Sequence, residues 1–133
     1  MNYQNIRVLL DTQLNTVIGL PSRQSENTLV VLDGTEWCRS SLLAAEPNAL
    51  TVGPNGTDEH QGLFQVDLFY PQNGGTVDVS NVAEDVMTAF KRGSIFTDGS
   101  VKVHVRMVWQ QVAYQVDTWY AVPVVIRWVA YAA

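Results

Sequence analysis

The C-terminal run WYAVPVVIRWVAYAA constrains the fold more than any other segment, because it is apolar on both faces of a strand. Side chains alternate between the two faces of a β-strand. One face carries Tyr120, Val122, Val124, Ile126, Trp128 and Ala130, and the other carries Trp119, Ala121, Pro123, Val125, Arg127, Val129 and Tyr131. In a small protein with one core, elements that cover the first face leave the second face to be covered by something else.

The composition describes a globular chain with little charge. Hydrophobic residues make up 47% of the 133 residues and charged residues 16%, against about a quarter charged in a typical soluble domain. This length predicts one domain that spans residues 1–133. Because few charged groups are left to coat an isolated surface, we expect part of that surface to contact a partner.

The charge balance and the cysteine count exclude several classes of protein. The net charge of −5, with only eight basic residues, leaves no basic stripe for tight binding to nucleic acid. The lone cysteine, Cys38, cannot form an intrachain disulfide or a cysteine-based zinc site, so we expect it to be a small buried residue. The N-terminal sequence lacks a signal-peptide pattern, and Arg127 interrupts the longest apolar run, so we expect a cytosolic product without a membrane span.

Hydrophobic periodicity predicts two helices. Apolar residues at helical spacing predict an amphipathic helix over residues 4–18, which Gly19 and Pro21 terminate. A second stripe over residues 79–90 predicts another helix, closed by Gly93.

Strands are predicted at 28–32, at 37–45 and at 63–71, with a hairpin turn at Asp33-Gly34. Two further long strands are predicted between Val101 and the C-terminus, separated by a bend near Asp117-Thr118. The residues at 46–62 are rich in proline and glycine and predict a long surface loop. In the strand after Val101, one face is expected to carry Val101, Val103, Val105, Met107 and Trp109, and the other Lys102, His104 and Arg106. Trp109 and Trp128 are expected in the core. The fold class that follows is α+β, a mixed and mostly antiparallel sheet packed against two helices.

The sequence contains no pattern typical of catalysis. It lacks a Gly-x-Ser-x-Gly elbow and a phosphate-binding loop, and His104 is interpreted as a surface residue. The cluster Asp58-Glu59-His60 could hold a cation, although no second histidine or cysteine stands at ligand spacing. We therefore predict that the chain is not an enzyme and needs no cofactor.

The C-terminal segment instead suggests self-association. Pro123 cannot donate a ladder hydrogen bond, which implies an edge strand, a bulge or a non-donating position. A long apolar edge has to be covered, and a neighbouring copy of the same chain would cover it. Trp119, Pro123, Arg127 and Tyr131 are the predicted subunit-interface residues.

Several segments resemble the tail terminator, or tail completion, proteins of long-tailed bacteriophages. They are TEWCRSSLLAAEP, GLFQVDLFYPQNGG, the helix end AFKRGS and DTWYAVPVVIRWVAY, in that order between about Trp37 and Tyr131. The resemblance implies a mixed sheet flanked by helices and a homohexameric ring on the head-proximal end of the tail tube. Such a ring ends tube polymerisation, offers a docking surface to the head connector or stopper protein, and lets DNA pass without specific binding.

The resemblance also implies a virion protein of the tail or neck that is assembled in the host cytoplasm. Asp58, Glu59, His60, Gln72 and Asn73 lie in the two segments, 46–62 and 71–77, that are candidates for axial contacts with the tube or the connector. Two alternatives stay open. One is another neck, head-tail joining or minor tail protein of similar fold, and the other is a small cytosolic enzyme or ligand-binding domain.

Overall fold

The structure, a computed structural model, describes residues 3–25, 36–72, 74–99 and 101–132. The predicted strand at 28–32 and its Asp33-Gly34 turn lie outside these residues. The described elements, in chain order, are α1 (Tyr3–Leu14), β1 (Ser22–Ser25), β2 (Trp37–Ala44), β3 (Asn48–Ala49), β4 (Asp58–Pro71), α2 (Val77–Ala89), β5 (Ile95–Asp98), β6 (Val101–Gln110), β7 (Tyr114–Val116) and β8 (Trp119–Ala132).

The strands form one sheet in the order β1-β2-β4-β8-β6-β5, in which β3 also pairs with β4 and β7 also pairs with β8. The pair β1–β2 is parallel, and the other pairs are antiparallel. Both helices contribute to the core on one side of this sheet. The predicted α+β class with a mixed, mostly antiparallel sheet on two helices is therefore confirmed.

The core lies between the helices and one face of the sheet, and its largest fully buried side chains include Trp128 and Phe64. Each large apolar side chain buried there contributes about 1.5–3 kcal/mol. The predicted alternation in β4 is confirmed, since Phe64, Val66 and Leu68 are fully buried and Tyr70 packs at the margin. Cys38 is buried as predicted, and its thiol lies 3.7 Å from the carbonyl oxygen of Pro21.

The prediction that the C-terminal strand leaves an unpaired edge is wrong. Strand β8 lies in the middle of the sheet, and its whole length pairs with β4 on one side. On its other side, residues 124–130 pair with β6 and residues 119–121 pair with β7, and the interruption between the two lies opposite residues 111–113. Pro123 lies at that interruption, where its carbonyl accepts a 2.9 Å hydrogen bond from the Gln111 N–H. In an antiparallel strand, the N–H and C=O of one residue point to the same side. The N–H that proline lacks would therefore point into the interruption between β6 and β7, so Pro123 fits a central strand without breaking the ladder.

Several predicted boundaries are also wrong. Helix α1 ends at Leu14, and turn hydrogen bonds follow it, so that Ile18 is 91% exposed instead of helical. The predicted loop at 46–62 contains β3 and the first residues of β4. Neither described helix is long and apolar enough to cross a membrane.

A bulge in β6 overturns the predicted face of two residues. The register with β8 shifts between Val105, opposite Trp128, and Met107, opposite Arg127. An extra residue in one strand moves every following side chain to the other face. Trp109 therefore lies outside the core, which corrects the prediction for it, whereas Trp128 is fully buried as predicted.

Candidate assembly surface

The face of the sheet opposite the helices, called the open face below, is built from cross-strand rows. The register of β2, β4, β8, β6 and β7 fixes which side chains share a row. From one end to the other, successive rows are Trp37-Phe69-Ala121-Tyr114, then Arg39-Asp67-Pro123, then Ser41-Gln65-Val125-Trp109, then Leu43-Leu63-Arg127-Met107. No helix of the described residues lies on this face.

An aromatic cluster covers one end of the open face. The rings of Trp37 and Phe69 stack at 4.1 Å, and Trp119 meets Trp37 edge-on at 6.2 Å. Trp119 is only 5% exposed and Ala121 is fully buried, and Pro123 is buried as well. One copy therefore hides this end with its own side chains, and the expectation that other chains must do so is wrong here.

A polar group adjoins the cluster. Asp67 is 3% exposed, and its carboxylate lies 3.6 Å from the Arg39 guanidinium and accepts a 2.9 Å hydrogen bond from the Gln65 amide. The guanidinium also lies 5.4 Å above the Phe69 ring. A buried carboxylate is costly unless it is paired, and Arg39 and Gln65 supply the ion pair and the hydrogen bond that Asp67 needs inside the face.

A groove of about 410 Å³ opens beside these residues, lined by Trp37, Arg39, Phe69, Tyr114, Val116, Asp117 and Trp119. Burial raises the pKa of the Tyr114 phenol, the Asp67 carboxylate adds to the rise, and Arg39 opposes it. The groove thus presents aromatic rings, a phenol, one guanidinium and the acidic residue Asp117. Among the described residues, no group of three or more His, Cys, Asp and Glu could hold a metal ion.

The middle of the open face is accessible. Arg127 is exposed, its guanidinium lies 5.4 Å from the centre of the Trp109 ring, and its row neighbours Leu43 and Met107 are 47% and 43% exposed. Arginine, tryptophan and methionine are enriched at protein interfaces. This part of the face, unlike the aromatic end, has the composition of a surface that another molecule covers.

Basic side chains extend the surface beyond Arg127. The Arg106 guanidinium donates a 2.8 Å hydrogen bond to the Tyr131 hydroxyl, and the His104 ring meets the Tyr131 ring edge-on at 5.9 Å. Lys102 is exposed on the same side of β6 as His104. Of the four predicted interface residues, Arg127 is exposed and Tyr131 is half-buried, whereas Trp119 and Pro123 are buried.

The predicted axial contacts are not brought together. Strand β4 begins with Asp58, Glu59 and His60, and Gln72 follows its end. The strand has 14 residues, so at ~3.4 Å per residue its two ends are about 44 Å apart. The His60 ring packs under Tyr3, with Nδ1 3.3 Å from the Tyr3 hydroxyl, so it faces away from Glu59 in the alternating strand. Gln72 donates a 2.9 Å hydrogen bond to the Asp117 carbonyl. Asn73 lies outside the described residues.

Sequence reasoning missed the groove and the accessibility of Trp109. The groove joins residues of β2 and β4 to the β7–β8 hairpin, which is far from both in sequence, and no local pattern signals it. The bulge after Val105 has no glycine or proline to mark it.

The comparisons with known proteins agree with this architecture. A family model described as phage tail terminator protein matches residues 5–128. The chain belongs to this family. The terminator also superposes on a solved structure whose name describes no function, with a TM-score of 0.76 at 19% identity, covering 98% of this chain and 96% of the other. At that identity the likeness shows the fold alone. No curated protein matches the terminator sequence.

Proposed function

We propose that this terminator forms a closed ring, of six copies as the family resemblance implies, at the head-proximal end of the tail tube. The ring ends tube polymerisation and offers a docking surface to the head connector. Membership of the terminator family supports a structural role in the phage tail.

The observation that carries the proposal is the accessible middle of the open face. A sheet buries each of its faces by packing against another layer. Here the two helices cover one face, and no second helical layer among the described residues covers the open face. The exposed Arg127, Leu43 and Met107 form a mixed apolar and cationic surface in the centre of the sheet. A neighbouring copy in a ring would cover that surface.

The charge of the chain suits a lumen through which DNA passes. The net charge is −5, so a ring of identical copies multiplies an acidic field that repels phosphates. The two ends of β4, at Asp58 and at Gln72, are separated along the sheet. In this proposal, each end is available to a different axial partner, the tube or the connector.

Electron microscopy of particles made without this protein tests the proposal. We expect overlong or headless tails, and normal tails when the protein is supplied in trans. Capped tails of normal length that fail to join filled heads would instead assign the chain to a connector layer. Normal infectious particles would refute a role in the tail.

A further inference from the structure

Two surfaces on opposite sides of the molecule have matching charge and apolar character. The first is the middle of the open face around Arg127. The second is a shallow cleft of about 360 Å³ on the helix side, lined by Thr16, Val17, Ile18, Asp85, Thr88 and Ala89.

The helix-side cleft combines an exposed apolar residue with an acidic one. Ile18 is 91% exposed, because α1 ends at Leu14 and the following turn projects it outward. Asp85 and its neighbour Glu84 are exposed on α2. The cleft therefore places apolar side chains, those of Val17, Ile18 and Ala89, beside the carboxylate of Asp85 on one accessible surface.

Arg127 and Asp85 form no ion pair within the described residues. The ion pairs of the described residues join Arg7 to Asp11 and Arg39 to Asp67. The Arg127 guanidinium lies 5.4 Å from the centre of the Trp109 ring, and an exposed arginine can pair with a carboxylate through two parallel N–H donors. Asp85 offers such a carboxylate.

We infer that, in the ring proposed above, the open face of one copy packs on the helix-side cleft of the next, with Arg127 paired to Asp85 of the neighbouring copy. Met107 and Leu43 then contact Ile18 of that copy. Lys102 and Arg106 face its acidic helix α2. This inference rests on the proposed function and names the surfaces that would join the copies.

A second copy fits these surfaces better than an unrelated partner, because the two surfaces carry opposite charges beside apolar side chains. The open face is basic around Arg127, in a chain of net charge −5, whereas the cleft and the adjoining surface of α2 carry the carboxylates of Asp85 and Glu84. The two surfaces lie on opposite sides of the fold, so the contact is head-to-tail. A head-to-tail contact repeats from copy to copy and closes into a ring when its rotation allows.

Charge reversal tests the pairing in the full-length protein by sedimentation velocity over a range of concentrations. Arg127→Glu alone and Asp85→Arg alone each place like charges in the contact, and we expect association to weaken by about tenfold or more. An equimolar mixture of the two variants restores opposite charges at every contact, so association should recover. The double variant D85R/R127E in one chain should recover as well.

Two matched controls carry the same charge changes elsewhere. Arg92→Glu and Asp98→Arg alter exposed residues outside both surfaces, and we expect wild-type association. Circular dichroism spectra establish that each variant is folded. As a second measurement, the pair D85C/R127C should give a ladder of disulfide-linked oligomers with oxidised glutathione, whereas D98C/R127C should not.

Three outcomes would overturn the inference. They are a wild-type chain that stays monomeric throughout, a mixture that fails to recover, and a cysteine pair that does not cross-link. A different result would refute the proposed function. Normal tails in particles without the protein would refute it, whether or not the two surfaces associate. Correct rings from both single variants would refute the pairing and leave the terminator role intact.

Discussion

Replacing Gly62 by alanine tests the packing of the three central strands. Gly62 lies in β4, opposite Trp128 of β8 and Ala44 of β2. A Cβ added there would lie 2.8 Å from Cζ2 of Trp128 and closer still to the carbonyl oxygen of Leu43. The glycine is needed because the largest buried side chain and a neighbouring backbone approach it together.

The cost follows from which atoms have to move. Overpacking a core costs about 1–3 kcal/mol, and one of the two close atoms belongs to backbone held in the β2–β4 ladder. The other belongs to Trp128, which is fully buried and is therefore packed against its neighbours. We therefore expect the upper end, about 3 kcal/mol. For a domain of this size that lowers Tm by about 10 °C.

Thermal and urea denaturation followed by circular dichroism measure the effect. Gly74→Ala is the matched control, since its Cβ would meet only the carbonyl oxygen of Pro71, at 3.3 Å, and should change stability by less than about 1 kcal/mol. Equal stability of Gly62→Ala and the wild type would refute the packing of β2, β4 and β8 around Trp128.

Three other changes follow from the structure. Arg39→Ala leaves the buried Asp67 carboxylate without its guanidinium partner, and urea denaturation should show a loss of about 1–3 kcal/mol; an unchanged midpoint would contradict the pairing. Trp128→Ala should cost about 3–5 kcal/mol, whereas Trp109→Ala should cost much less in the isolated chain, and comparable losses would place Trp109 in the core. Because burial raises the pKa of the Tyr114 phenol and of the Tyr70 phenol, ultraviolet titration should show two late-ionising tyrosines, and Tyr114→Phe should remove one of them. The folded state binds the Tyr114 phenol proton more tightly than the unfolded state does. The resulting stabilisation is fully present below the ordinary phenol pKa and is lost as the pH rises through the raised pKa of the folded state.

The sequence pattern predicts the core face of the sheet well, because burial of alternate residues is a local signal. Phe64, Val66 and Leu68 in β4, and the even-numbered residues of β8 from Val122 to Ala130, all face the helices as the alternation indicates. The apolar stripes likewise identify both helices, although α1 ends four residues before its predicted end.

The arrangement of the strands could not be predicted in the same way. Strand order depends on which distant segments pair. A strand that is apolar on both faces can be a central strand of a curled sheet, as β8 is, or an edge strand that a partner covers. Trp119 illustrates this, since Trp37 and Phe69 from β2 and β4 cover it within one chain. The β6 bulge moved Trp109 to the open face for a similar reason, because its position is set by pairing with β8.

The candidate interface was predicted in part. An arginine inside an apolar strand is an evident anomaly in the sequence, and Arg127 is the exposed residue at the centre of the accessible surface. Its complement could not be found from the sequence, because the exposure of Ile18 depends on where α1 ends and on how the following turn projects.

Electron cryomicroscopy of the neck of the intact virion tests the central claim most directly. The account predicts a ring of this chain at the head-proximal end of the tail tube, in which the open face of each copy is covered by the helix side of its neighbour. A neck without this chain, or a ring in which Arg127 and the surrounding open face are bare, would contradict it.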